Sequence, residues 1–338
     1  MYVKAYAAKQ PGSLLEPYEF ELHDPKEYEC LIKVQYCGVC RSDVSLIDNN
    51  WGVSNYPLVP GHEVIGTVEA VGSHVQHLQI GERVGVGWQH SACLQCSHCL
   101  RSNENLCSQI QATVLACPGG FADYLLTDSR FAFPIPQELE SCMAGPLLCG
   151  GITVYAGLRS AGMGSGQEIG IIGVGGLGHI AVQFAKRLGN KVTVFTTSEN
   201  KAEFAHYLGA DHTIIVAQRE DPPKPERKLD IILSTVPENL SWGAYLDHLE
   251  ADGTLVFVGL PKGVNPLIEL PLFALVDRRL RVMGSPIGGR SMITDMLLVA
   301  ARFQIHPKIE VFPVEEVNEA IERVRSNQVR YRAVLEIS

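Results

Sequence analysis

The chain has no uninterrupted apolar run long enough to span a bilayer, which excludes a membrane-spanning helix. It also lacks any basic run. With 37 acidic residues against 28 lysines and arginines the net charge is −9, so nucleic acid and anionic membrane are excluded as partners. Anions could be held only locally, at helix ends. The amino end, Met1-Tyr2-Val3-Lys4, lacks the apolar stretch of a secretion signal, and the expectation is an intracellular, cytoplasmic protein. There is no internal repeat. The one polar, proline-rich stretch, 219–228, is expected to be a surface loop. Cysteine, by contrast, is plentiful: ten without a secretion signal point to metal ligands and buried thiols rather than disulfides. At 338 residues, 46% of them hydrophobic, the chain is too long for one ordinary core, and two domains are expected.

The pattern along the chain changes once. Residues 31–36 alternate, 64–71 form a β-branched run broken by Gly66, and 83–86 form another short strand. Pro57, Pro60-Gly61, Gly72 and Gly81 punctuate them. From about residue 147 strand and helix alternate: 169–172 then 177–188, 191–195 then 200–208, 231–234 then a helix near 242–249, and 254–258 before a return. Such alternation predicts an α/β fold with a doubly wound parallel sheet, helices on both faces. The tail holds a helix at 292–303, a strand, a helix at 314–324 and a closing strand at 331–337. The expected domains are therefore a β-rich one over 1–147 and 290–338, with a metal lobe near 88–110, and a nucleotide-binding one over 148–289.

Three groups of residues carry chemistry. Cys93, Cys96, Cys99 and Cys107 are spaced C-x₂-C-x₂-C-x₇-C. Four thiolates so close in sequence can wrap one tetrahedral metal, and an all-sulfur shell selects zinc or an iron–sulfur cluster. Residues 94–106 have no apolar periodicity, so a metal would have to hold them. Secondly, Gly173-Val174-Gly175-Gly176-Leu177-Gly178 fits G-x-G-x-x-G between an apolar strand and an apolar helix. Gly173 allows the tight turn, Gly175 lets backbone approach a pyrophosphate, Gly178 lets helix pack on strand, and the helix amino end faces the phosphates. The bland alternative is a glycine-rich turn that binds nothing. The next strand ends Val194-Phe195-Thr196-Thr197-Ser198 without the carboxylate that usually holds an NAD ribose. Thr197, Ser198 and Lys201 offer hydroxyls and a cation there, which favours the 2′-phosphate of NADP(H) over NAD. Against this, Ser198 could be only a helix cap and Lys201 solvated surface, and Glu199 would repel a phosphate if it pointed inward. Thirdly, Cys40, the pair His62-Glu63 and Cys149 are soft, imidazole and carboxylate donors, each of which alone is more often a core residue than a ligand.

In combination these motifs resemble the zinc-dependent medium-chain alcohol dehydrogenases, most of all their cinnamyl alcohol dehydrogenase branch, nearly end to end. The resemblance is carried by Gly38-Val39-Cys40-Arg41-Ser42-Asp43, Pro57-Leu58-Val59-Pro60-Gly61-His62-Glu63, Gly81-Glu82-Arg83-Val84-Gly85-Val86-Gly87, the cysteine quartet, Pro146-Leu147-Leu148-Cys149-Gly150-Gly151-Ile152-Thr153-Val154-Tyr155, the glycine loop and Phe195-Thr196-Thr197-Ser198-Glu199. It implies a GroES-like catalytic domain with a Rossmann domain inserted, and two zinc ions per chain. The catalytic zinc would be held by Cys40, His62 and Cys149, with Glu63 as a nearby or alternating ligand and Asp43 orienting His62. The quartet of Cys93, Cys96, Cys99 and Cys107 would hold a closed, structural zinc. Ser42 would relay the substrate proton. Thr153 and Gly173, Gly175, Gly176, Leu177 and Gly178 would bind the dinucleotide, with Thr197, Ser198 and Lys201 at its 2′-phosphate.

The activity implied is reversible, NADP(H)-linked reduction of aldehydes to primary alcohols, by a homodimer, with a tetramer as the alternative. The resemblance places Trp51 and Trp88 on loops near the zinc, where they would suit aromatic or allylic substrates, unless they only pack in a core. Pro286-Ile287 matches a region lining the pocket and the dimer contact. The chain departs from the family pattern at Ser45, where many relatives carry a histidine, since serine is no base near neutral pH. It departs again at Ser102, where a glycine is expected, and in 108–119, a shorter loop than expected. Cys30, Cys37, Cys117 and Cys142 match no ligand role. Two alternatives stay open: an NAD-linked polyol or secondary-alcohol dehydrogenase of the same fold, and a zinc- or redox-sensing binding protein that has lost catalysis.

Overall fold

The computed structural model describes residues 1–217, 220–259 and 267–338. They divide into two compact units, 1–149 with 288–338, and 150–287. No single helix among the described residues is long and apolar enough to cross a membrane.

The first unit is built on a sheet whose strands follow the order Ile309–Pro313, Arg332–Glu336, Glu29–Val39, Val64–Val71, Arg83–Val86 and Ala132–Pro134, with Tyr124–Asp128 also paired to Glu29–Val39. Only its first pair is parallel. The strands expected at 64–71 and 83–86 have those bounds, because each pairs antiparallel along its whole length. The alternating stretch 31–36 is the middle of a longer strand, Glu29–Val39, buried on both faces over much of its length and therefore without alternation at its ends. An amino-terminal hairpin, Tyr2–Ala8 with Leu15–Glu21, had no clear sequence signal. The last strand pairs with the central one at Ala333↔Val39 and Leu335↔Cys37, so a residue near the end of the chain lies beside the segment that leads into Cys40. Ile32, Val34, Val64, Val68, Val84, Ala333 and Leu335 make the heart of the apolar core. None of residues 92–107 belongs to it, and Leu100 and Leu106 of that stretch are exposed.

The second unit is a six-stranded parallel sheet in the order His212–Ile215, Lys191–Thr196, Glu168–Ile172, Leu229–Ser234, Leu249–Phe257, Arg281–Gly284. Numbered within the unit this is 3-2-1-4-5-6. The order reverses beside Glu168–Ile172, the strand that runs into the glycine loop, and ligands of such sheets bind at that reversal. The helices Gly178–Arg187 and Glu199–Tyr207 stand within a residue of the expected 177–188 and 200–208. Three expectations need correction. The helix expected near 242–249 ends at Leu246, because Leu249 already pairs with Leu229 as strand. The strand His212–Ile215 was not foreseen; it is four residues long, at the sheet edge, and carries no buried side chain. Nor was the short helix Leu272–Asp277, none of whose residues is buried. Of the loop expected at 219–228, Arg219 lies outside the described residues, and 220–228 is mostly exposed with neither helix nor strand.

The stability of the first unit should follow this division between core and lobe. Ile32→Ala, at a fully buried position, is expected to lower the unfolding free energy by about 2–5 kcal/mol in urea titration, and Leu100→Ala by less than about 0.5 kcal/mol. Equal losses would mean that the lobe has an apolar core after all.

Candidate functional site

The strand Glu29–Val39 stops at Cys40, which caps the helix Arg41–Ile47. Asp43, third in that helix and fully buried, accepts the Cys40 amide on Oδ2 at 2.8 Å. Its Oδ1 accepts the Gly61 amide at 3.0 Å and faces His62 Nδ1 at 2.9 Å. One carboxylate thus fixes the sulfur-bearing turn and the imidazole together. Because it can only accept, Nδ1 carries the proton, and Nε2 is the ring nitrogen turned to the sulfurs. That nitrogen lies 3.3 Å from the Cys149 sulfur, which is 3.7 Å from the Cys40 sulfur. Cys149 follows the tight turn Gly145–Leu148. The donor atoms of Cys40, His62, Glu63 and Cys149 all lie within 4.8 Å of one another, and all four residues are buried.

Two glycines make room. A β-carbon at Gly38 would stand 2.0 Å from Glu63 Oε2, and Gly61 takes φ +102°, with Phe121 2.6 Å from any β-carbon. Glu63 Oε1 is paired with Arg332, while its Oε2 is buried without a partner. Burial, against the pull of Arg332, pushes the Glu63 carboxyl up to about 7. The hydrogen bond from Cys149, helped by Arg332 and His62, holds the Cys40 thiol well below its ordinary range, and the same contact with burial holds Cys149 well above it. Burial alone would lower His62, but Asp43 and the Cys40 sulfur outweigh it and raise it. A carboxylate oxygen, two sulfurs and an imidazole nitrogen within 4.8 Å of one another form a donor set that a soft divalent cation completes. Trp88 stands edge-on to His62 with ring centroids 5.1 Å apart, and Trp51 edge-on to Trp88 at 6.2 Å. Both tryptophans are half-buried and also pack against the core, so the two readings of them were not exclusive. Ser42 is half-buried in the first turn of the helix, and Ser45 is buried one turn on. Arg332 was missed: it lies 269 residues from Glu63, and only a basic residue inside an apolar closing strand hinted at it.

The quartet is a second cluster in the same unit. Its sulfurs lie 3.5 Å (Cys107 to Cys93), 3.6 Å (Cys96 to Cys99) and 3.8 Å (Cys93 to Cys99) apart. The amides of Gln95 and Cys96 lower Cys93 to about 6, while burial raises Cys99 to about 12. Ser102, where the resemblance led to a glycine, takes the left-handed conformation (φ +56°) that glycine would favour. Burial pushes Cys30 and Cys117 up to about 12, which keeps them thiols.

In the second unit Gly173 takes φ +90° at the end of Glu168–Ile172, and a β-carbon at Gly178 would stand 1.9 Å from the Gly173 carbonyl. Gly175 differs: among the described residues nothing lies within 4 Å of its missing β-carbon, so none of them requires glycine there. Open space over such a loop fits the close approach of a pyrophosphate. Gly176 and Leu177 lead into the helix Gly178–Arg187, whose first turn no side chain caps. Thr197 is exposed just past Lys191–Thr196, and Ser198 is the cap residue of Glu199–Tyr207 but makes no capping bond. Lys201 is half-buried one turn on, and Glu199 is exposed. Thr153 is buried in Gly150–Ser160.

A doubly wound nucleotide-binding unit and a β unit holding two soft-donor clusters define a zinc-type dehydrogenase. The family models agree: an alcohol dehydrogenase GroES-like domain matches residues 26–137, and a zinc-binding dehydrogenase domain matches 176–302. An aldehyde reductase of Synechocystis sp. is 41% identical over 98% of both chains. A cinnamyl alcohol dehydrogenase structure from Sorghum bicolor superposes with a TM-score of 0.90 at 35% identity, covering 99% of this chain and 98% of the other. A cinnamyl alcohol dehydrogenase from Helicobacter pylori, solved with NADP(H), gives a TM-score of 0.90 at 29% identity over 99% and 98%. The chain belongs to the zinc-dependent medium-chain alcohol dehydrogenases, in their cinnamyl alcohol dehydrogenase-like branch, and is an oxidoreductase.

Because Asp43 is the hydrogen-bond partner of His62 Nδ1, Asp43→Asn is expected to weaken binding of added zinc by this donor set about 10–100-fold, measured by chelator competition, and to leave zinc binding by the quartet unchanged. An affinity equal to the wild type would show that the imidazole does not depend on that carboxylate.

Proposed function

We propose that this protein reversibly reduces aldehydes to primary alcohols with NADP(H) at a zinc centre. The observation that carries the reading is the buried set of Cys40, His62, Glu63 and Cys149 around one point. Two sulfurs and one nitrogen leave a fourth position open, and zinc bound so would act as a Lewis acid on the substrate's oxygen.

The chain's own residues do the rest. Cys40, His62 and Cys149 hold the ion. Asp43 keeps His62 Nδ1 protonated and Nε2 aimed at it. Glu63, kept in place by Arg332, is an alternating ligand. Trp88 and Trp51 form an apolar wall that excludes water and suits an aromatic or allylic aldehyde. A bound NADP(H) would supply the hydride chemistry at the carbinol carbon, and Ser42 hands the hydroxyl proton on towards solvent. Ser45 supplies a hydroxyl and no base, so the proton goes on from there through water or through a ribose hydroxyl of the cofactor. Gly173, Gly175, Gly176, Leu177 and Gly178 cradle the pyrophosphate, with Thr153 in contact with the cofactor. Thr197, Ser198 and Lys201 hold the 2′-phosphate. The quartet holds a structural zinc and takes no part in the chemistry. The aldehyde reductase activity of the Synechocystis relative and the NADP(H) bound in the Helicobacter pylori structure support the substrate class and the cofactor.

The same proposal includes a homodimer through the second unit. The strand Arg281–Gly284 ends its sheet, and Leu272, Phe273 and Val276 of the preceding helix are 71%, 81% and 74% exposed. An open strand edge beside an apolar face calls for a cover, and a second copy supplies a matching edge.

Across a panel of aromatic and aliphatic aldehydes the zinc-loaded protein should show higher kcat/KM with NADPH than with NADH. Lys201→Glu should lower the NADPH value about tenfold or more, roughly one charge-assisted phosphate contact, and spare NADH. No turnover of any aldehyde with either cofactor sinks the reading, and a preference for NADH turns it to the NAD-linked alternative. Phe273→Glu should convert a dimer to a monomer in light scattering; a wild-type monomer, or a variant that stays dimeric, refutes this interface.

A further inference from the structure

Residues 288–290 carry the chain back into the first unit, at the amino end of the helix Arg290–Phe303. That helix has no cap of its own, since Gly289 stands at the cap position without a side chain. The missing cap comes from the metal lobe, 186 positions earlier. Glu104, fully buried in the tight turn Glu104–Leu106, accepts the Arg290 backbone N–H on Oε2 and the Arg290 Nε–H on Oε1, both at 2.9 Å. A carboxylate on the first N–H of a helix stabilises that end by a charge-assisted hydrogen bond and by the helix dipole. Gln89, also buried, donates from Nε2 to the Gly288 carbonyl at 2.7 Å. It lies in the short strand Gln89–Ser91, whose partner Gln111–Ala112 follows the lobe. Gly289 is fitted to the same surface: a β-carbon there would stand 2.0 Å from the Ser102 carbonyl and 2.7 Å from Glu104 Oε2.

The two lobe residues that meet Gly289 and Arg290 are tied to the cysteines. Ser102 N–H donates to the Cys99 carbonyl at 3.0 Å, and Cys107 N–H donates to the Glu104 carbonyl at 2.9 Å. Apolar packing does not gather this stretch, because none of residues 92–107 joins the main core. The four sulfurs do, with all of them within 4.8 Å of one another. We propose that zinc at Cys93, Cys96, Cys99 and Cys107 fixes Glu104, and that Glu104 passes this order to residues 288–293, so the lobe anchors the chain's return into the first unit. Glu104 is a positioning residue. The inference rests on the reading of the quartet as a zinc site. Linkage is reciprocal: a helix end steadied by the lobe steadies the lobe, so losing the contact weakens zinc at the quartet.

Hydrogen exchange read by mass spectrometry on the full-length, zinc-loaded protein tests this, with zinc counted in every sample. Glu104→Gln should keep two zinc ions yet exchange at 290–294 about tenfold faster or more, the region where Ile293 N–H donates to the Gly289 carbonyl. Cys96→Ser, which empties the quartet, should speed the same amides, and the double variant should be no faster than the faster single one. Zinc should leave the quartet of Glu104→Gln to a chelator about tenfold faster than in wild type. Should Glu104→Gln fail to fold, Arg290→Ala keeps the backbone contact, and both effects should appear in smaller degree. Unchanged exchange at 290–294 in Cys96→Ser or in either clamp variant overturns the inference. A wild-type protein with one zinc and an empty quartet overturns the zinc reading of the quartet, and the metal count distinguishes that failure from failure of the clamp.

Discussion

Everything in the first unit is arranged around ionisable groups buried where water cannot solvate them. Two thiols, an imidazole and a glutamate meet at one point, with an aspartate behind and an arginine beside them. Burying such groups is costly unless each is paired, and here the pairing is nearly complete: Asp43 serves His62 and two backbone amides, and Arg332 serves Glu63. Among the described residues, Glu63 Oε2 and Arg332 Nε are the atoms of this cluster left without a hydrogen-bond partner. The close packing of Gly38 and Gly61 against this cluster, and the pairing of the last strand with the one that precedes Cys40, follow from the need to bring these groups together and keep water out.

The two soft-donor clusters are built by opposite means. The buried one is assembled by the sheet, from residues that range from Cys40 to Cys149 and stand on firm apolar packing. The quartet is assembled by short spacing alone, in a segment without a core. Yet the second cluster is not isolated, because its turns reach the helix end at Arg290 through Glu104 and Ser102. A segment with no apolar interior can position a distant one if something else makes it rigid, and on the proposed reading that is the metal.

Much of the fold was legible because its signals are local. The strands at 64–71 and 83–86, the helices after Glu168–Ile172 and Lys191–Thr196, and the glycine loop all carry periodicity or turn chemistry within a dozen residues. The short edge strand His212–Ile215 and the exposed helix Leu272–Asp277 carry none, since neither buries a face. The boundary at 246–249 went wrong for a different reason: Leu249 is strand because Leu229 lies beside it, a fact about the sheet and not about the segment. Ser102 shows the reverse case, where the backbone keeps a glycine-like conformation although the side chain has changed.

By itself the sequence determined the donor types, their spacing in the quartet, the glycine loop and the absence of a carboxylate at positions 197 and 198, because chemistry of that kind resides in residue identity and short intervals. Only the tertiary structure decided that Asp43 divides its two oxygens between Cys40 and the Gly61–His62 pair, and that Arg332 and Glu104 find partners 269 and 186 residues away. Those are matters of pairing between strands and turns far apart in the chain, and they depend on register, burial and the direction of each side chain, none of which a local pattern encodes.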